Sequence, residues 1–136
     1  YYFRIQWDGW HGLNPDWRIS WREDPSEAGG GQLFDMGSHL FDLARFVLGP
    51  IESATGFTHT VPRRRVDQRT GEERAVGTDD IAAALFVHES GCRGEWFQSR
   101  VTPPRRDNAC MEVVGPEGAL QCDLSRGNVE GLRISR

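Results

Sequence analysis

Three titratable residues follow a run of glycines in the stretch GGGQLFDMGSHLFD: Asp35, His39 and Asp42, spaced four and then three apart. On a helix that spacing puts all three on one side, with neighbouring β-carbons about 5 to 6 Å apart. Asp35 is then within reach of a hydrogen bond to His39. A carboxylate so placed orients the imidazole and favours its protonated form, as a proton acceptor requires. Near a helix start the macrodipole also favours an ionised Asp35. The same spacing suits a solvated ion pair, or the first two ligands of a metal. A metal needs further ligands, and His11, His59 and His88 stand in no recognisable ligand spacing. Cys92, Cys110 and Cys122 are odd in number and form no CxxC, so they read as small core residues. Spacing alone leaves the ion pair and the proton-transfer pair both open.

The element that must carry these residues is a helix predicted over 32–48. Leu33, Met36, Leu40, Ala44 and Val47 form its apolar stripe, with Leu43 and Leu48 at the margins. Gly49-Pro50 stops it, and the glycine triplet before it leaves N–H groups open to a ligand. YYFRIQW, before it, reads as a strand. The loop from Trp10 to Gly31 is punctuated by glycine and proline, and four of the five tryptophans lie between Trp7 and Trp21, as in a lid or a site wall. After Pro50 the pattern turns to strands: IESATGFTHTV, a hairpin turning at Glu89-Ser90-Gly91, a second hairpin around Gly115-Pro116-Glu117-Gly118, and a last short strand LRIS. One long helix with a run of hairpins predicts an α+β fold, the helix packed on one sheet face. In IAAALFV, Ile81, Ala83, Leu85 and Val87 line one face and Ala82, Ala84 and Phe86 the other. A strand apolar on both faces is covered on both. One helix covers one face, so the other is expected to meet a second copy of the chain, or else the Trp-rich loop.

Composition narrows the function classes. The 136 residues suit one domain, and 38% hydrophobic with 26% charged residues is a globular balance. A net charge of −4 gives no pull toward nucleic acid or anionic membrane. No apolar run is long enough for a bilayer and no signal peptide opens the chain, so the expected compartment is the cytoplasm. Every cationic side chain is arginine. Without lysine the chain holds no Walker-type loop, Schiff base or catalytic lysine, so chemistry that needs one draws it from another segment. Arg63-Arg64-Arg65, close to Asp67, Glu72 and Glu73, reads as a solvated hairpin loop rather than a phosphate site. The abrupt opening YYFRIQW predicts a fragment of something longer.

Several motifs together resemble the C-terminal domain of the Gfo/Idh/MocA oxidoreductases. They are Trp21-Arg22, Asp24-Pro25, Ala28-Gly29-Gly30-Gly31, the frame Asp35-x-Gly37-x-His39-x-x-Asp42 and Leu48-Gly49. Farther on, Thr78-Asp79-Asp80 before an apolar strand, Glu89-Ser90-Gly91 and GPEGAL look similar too. The resemblance implies an open, mostly antiparallel sheet with one long helix on a face, residues 1–136 forming the substrate-binding and oligomerisation domain of a two-domain enzyme. It implies NAD or NADP, bound mainly by an N-terminal Rossmann domain that would carry the missing lysine. It implies a sugar, polyol or related hydroxy compound as substrate, and association as a homodimer or tetramer through the open sheet face. His39 matches the acid/base histidine and Asp35 its partner that reaches the substrate. Oxidising an alcohol removes a hydroxyl proton as hydride leaves, and an imidazole with an ordinary pKa of about 6.5 can take that proton. Asp42 becomes support, and Trp21 and Arg22 become substrate-binding. The alternative is a non-catalytic binding or assembly module of the same fold.

Overall fold

The computed structural model describes residues 1–103, 109–126 and 129–136. The opening aromatic run forms β1 (Tyr2–Asp8), and the Trp-rich segment follows as loop with 3-10 turns at His11–Leu13 and Trp21–Glu23. A one-turn helix α1 (Pro25–Ala28) precedes the main helix α2 (Met36–Leu48). Then come β2 (Ile51–His59), the short pair β3 (Arg64–Val66) and β4 (Glu73–Ala75), β5 (Ile81–His88) and β6 (Arg93–Ser99). The chain closes with β7 (Ala109–Gly115), β8 (Gly118–Asp123) and β9 (Leu132–Ser135).

Seven strands make one sheet in the order β2-β5-β6-β1-β7-β8-β9. Its pairs are antiparallel except β1 with β6, which run parallel. This is the open, mostly antiparallel sheet expected, with both hairpins turning where glycine and proline mark them. The charged stretch after Pro62 is not plain loop: β3 and β4 pair as a small hairpin of their own.

The helix differs from expectation in two respects. It starts at Met36, four residues after Gln32. Phe34 and Asp35 first donate to the Gly31 carbonyl at 3.2 and 2.9 Å, and Gly37 donates to the Gln32 carbonyl at 3.0 Å, so 31–35 form turns. Its buried stripe is Gly37, Leu40 and Ala44, rotated by about 30° from the stripe centred on Leu40. Val47 consequently falls outside and is 41% exposed, while Phe41 packs at 5.3 Å from Phe86 and 4.9 Å from Trp96. The cause is at Gly37. A β-carbon there would stand 3.1 Å from Trp96 Cζ2, so the bare backbone lets the indole set how the helix sits.

Under α2 the core gathers Phe3, Ile5, Leu40, Phe86, Trp96 and Met111. Cys92 is buried, whereas Cys110 and Cys122 are only partly so. At the far end of the helix, buried His88 meets the Gly49 carbonyl through Nδ1 at 2.9 Å and packs edge-on against Phe3 and Phe86. On the opposite face Leu85 and Phe57 remain 60% and 62% exposed. The Trp-rich loop therefore does not close that face.

Candidate functional site

Asp35, His39 and Asp42 all lie on the exposed side of α2, turned away from the stripe that meets the sheet. Asp35 occupies the N-cap position with φ −66° and ψ −80°, off helical geometry, and its side chain caps no backbone N–H. No hydrogen bond joins Asp35 to His39, contrary to what their spacing predicts. Asp35 faces Arg22 instead, Nε to Oδ2 at 3.6 Å, and Arg22 stacks on Trp21 at 4.5 Å from the ring centre. Trp21, Arg22 and Asp35 are thus one group, with His39 the next turn along. The reason for the changed pairing is the late helix start, which leaves Asp35 on turn backbone rather than one helical turn below His39.

The glycine triplet does not play its expected part. Gly31 donates to Asp79 Oδ1 at 2.7 Å, Leu33 to Oδ2 at 2.9 Å, and Gln32 to the Asp79 backbone carbonyl at 3.1 Å. These N–H groups are taken by the protein itself and are closed to a ligand. A β-carbon on Gly31 would stand 2.2 Å from the Asp79 carbonyl oxygen, so glycine is required by that close approach. The N–H groups of Gly31, Gln32 and Leu33 therefore do not form a cradle for dinucleotide phosphates.

Behind the Trp21 turn lies a buried charged cluster that sequence reading missed. Asp80 accepts Arg100 Nε at 2.6 Å and Arg63 Nη2 at 2.7 Å, with a further close contact from Arg63 Nη1, and takes the Val61 N–H at 2.8 Å. Burial by itself would raise the Asp80 carboxyl. The hydrogen bonds from Arg63 and Arg100, with the Arg100 charge, win and hold it below the usual carboxylate value. Arg100 continues to Glu23 at 3.4 Å and Thr78 Oγ1 at 2.9 Å. Glu23 Oε2 accepts both the backbone N–H and the hydroxyl of Ser20 at 2.8 Å, completing a capping box for the Trp21–Glu23 turn. Trp17 lies at 5.1 Å from the Arg100 guanidinium and 5.9 Å from that of Arg63. Arg63 is hence a structural ligand of Asp80, not part of a solvated run. The available signal was the Asp79-Asp80 pair before an apolar strand, but nothing in it names arginines seventeen and twenty residues away.

His11 stacks edge-on against Trp17 at 4.9 Å. Burial, and then the Arg100 charge, lower it below the ordinary imidazole value. Among the described residues no three His, Cys, Asp or Glu side chains gather as a metal site, and no helix is long and apolar enough to cross a membrane. A groove of about 570 Å³, lined by Arg4, Phe57, Leu85, Glu95 and Phe97, opens on the other sheet face.

Comparison with known proteins agrees with this architecture. The model of the GFO/IDH/MocA C-terminal domain matches residues 1–121. Levoglucosan dehydrogenase of Pseudarthrobacter phenanthrenivorans is 26% identical over 127 residues, covering 83% of this chain and 32% of that protein. D-apiose dehydrogenase of Paraburkholderia graminis is 29% identical over 111 residues, covering 74% of this chain and 26% of that protein. The chain thus spans about a third or less of the curated relatives it matches. An NAD binding oxidoreductase from Klebsiella pneumoniae superposes with a TM-score of 0.88 at 33% identity, covering 99% of this chain and 35% of that one. The levoglucosan dehydrogenase complex with NADH and L-sorbose shares the fold, with a TM-score of 0.84 at 24% identity over 98% of this chain and 39% of that one. With a matching domain model over most of its length and the mixed sheet and helix that model implies, the chain belongs to the GFO/IDH/MocA C-terminal domain family.

Proposed function

We infer that this chain is the substrate-facing domain of a longer NAD(P)-dependent oxidoreductase that acts on a sugar, polyol or related hydroxy compound. His39 serves as the acid/base and Asp35 orients the substrate beside it. The carrying observation is the presentation of Asp35, His39, Trp21 and Arg22 on the open side of the α2 start. His39 is exposed there, free to face a hydroxyl brought from above. Arg22 can share Asp35 with a substrate hydroxyl, and the Trp21 ring offers an apolar platform for the C–H face of a sugar. The names of the relatives, levoglucosan and D-apiose dehydrogenases, favour that substrate class. The dinucleotide is held outside these residues, whose share of the reaction is the proton. Cys92 and Cys122, both outside any disulfide, favour a reducing compartment such as the cytoplasm. The apolar sheet face exposing Leu85 and Phe57 would be covered by a second copy.

One observation favours the alternative of a non-catalytic module: Asp35 is engaged by Arg22 and not by His39. Substituting His39→Ala in the full-length protein separates the two. The catalytic reading expects turnover of its hydroxy substrate to fall by about 10²- to 10⁴-fold with dinucleotide affinity nearly unchanged. Turnover at the parent level would overturn it.

A further inference from the structure

Asp79 and Asp80 are neighbours immediately before β5, and their side chains hold the two halves of the candidate site. Asp80 grips Arg100, Arg100 reaches Glu23, and Glu23 anchors the turn that carries Trp21 and Arg22. Asp79 grips Gly31 and Leu33 with one carboxylate oxygen each, while its backbone carbonyl takes Gln32. Leu33 is two residues before Asp35. From Arg22 to Asp35 the ring of contacts closes at 3.6 Å, so each end of that ion pair is tied to one of two adjacent residues.

We propose that Asp79 is a positioning residue: by fixing 31–33 against β5 it sets the Asp35 carboxylate opposite Arg22 and aims the α2 start that bears His39. The kinetic consequence rests on the function proposed above; the geometric one does not. A carboxylate is needed because both of its oxygens accept from backbone N–H groups. An amide of the same shape can accept with only one side and turns a donor toward Gly31 or Leu33 with the other. Three consecutive N–H groups held by one residue leave the segment little freedom, and the Gly31 backbone lies against Asp79 too closely for any side chain.

The test is Asp79→Asn in the full-length protein, a change that preserves volume. Turnover should fall by about 10- to 100-fold, the scale of a site misplaced by roughly 1 Å, with dinucleotide affinity within about twofold of the parent. Hydrogen exchange at the 31–33 amides should accelerate. The Arg22 Nε–H resonance should shift on Asp35→Asn in the parent, through the 3.6 Å contact, and should not shift on Asp35→Asn in the Asp79→Asn background. Gly31→Ala disturbs the same contact from the other side and should give the same pattern. If His39→Ala abolishes turnover while Asp79→Asn keeps the parental rate, the positioning role is overturned and the function proposed above stands. If His39→Ala is fully active, that function fails, and the exchange and Arg22 readouts decide positioning: parental values in both overturn it.

Discussion

Arg100 and Asp80 meet at 2.6 Å with both side chains sealed from water, and Arg63 approaches the same carboxylate from the other side. Removing the anion takes from Arg63 the carboxylate it meets and leaves buried Arg100 only the Glu23 carboxylate, at 3.4 Å. Asp80→Ala should therefore destabilise the fold by about 3–5 kcal/mol in urea unfolding. By contrast Arg69→Ala, which breaks exposed contacts to Asp24 and Glu27, should cost under about 1 kcal/mol. Equal losses in the two variants would contradict this assignment of the buried cluster.

Stability should fall with acid in two windows. His11 is lowered in the folded chain, so the unfolded chain binds its proton first, and stability declines as pH drops below the ordinary imidazole range. Asp80 is also lowered, so its contribution is complete above the ordinary carboxylate value and is lost as pH falls through its folded value. A pH series of urea midpoints should show both slopes, and His11→Gln should remove only the first.

Two glycine contacts predict unequal outcomes. Gly31→Ala drives a methyl into the Asp79 backbone, which cannot yield, and should lower the melting temperature clearly. Gly37→Ala meets the rim of the Trp96 ring at 3.1 Å and gains helix propensity of about 1 kcal/mol. Its net change should be small. A calorimetric series that ranks Gly37→Ala as the worse of the two would contradict the packing described.

At His88 shape should count for more than the hydrogen bond. Nδ1 meets the Gly49 carbonyl, while Nε2 is buried without a partner. His88→Leu loses the bond but also the unsatisfied nitrogen, and should cost about 1–2 kcal/mol. His88→Ala adds a cavity and should cost about 2–5 kcal/mol. Chemical denaturation of both variants measures the difference.

If the exposed sheet face is a contact between copies, Leu85→Arg should shift the assembly toward smaller species. Light scattering at two concentrations reads this directly. An unchanged mass would remove β5 from the interface.

Much of this protein was determined by its sequence alone. Period-2 and period-3.6 apolar patterns, with glycine and proline at the turns, mark the strands of the large sheet, its two expected hairpins and the main helix, though not the small β3–β4 hairpin, because these signals act between residues close in the chain. The frame around Asp35 and His39 was legible for the same reason. What only the tertiary structure decided lies in contacts across long separations. The helix start depends on Asp79, more than forty residues from Gly31, and the helix rotation depends on Trp96 meeting a bare Gly37. Arg22, not His39, faces Asp35, and the seemingly solvated Arg63 is buried on Asp80. A charge pattern states which ions a chain has. Which of them meet is set by the fold that brings distant backbone into contact, where burial makes each wrong pairing costly.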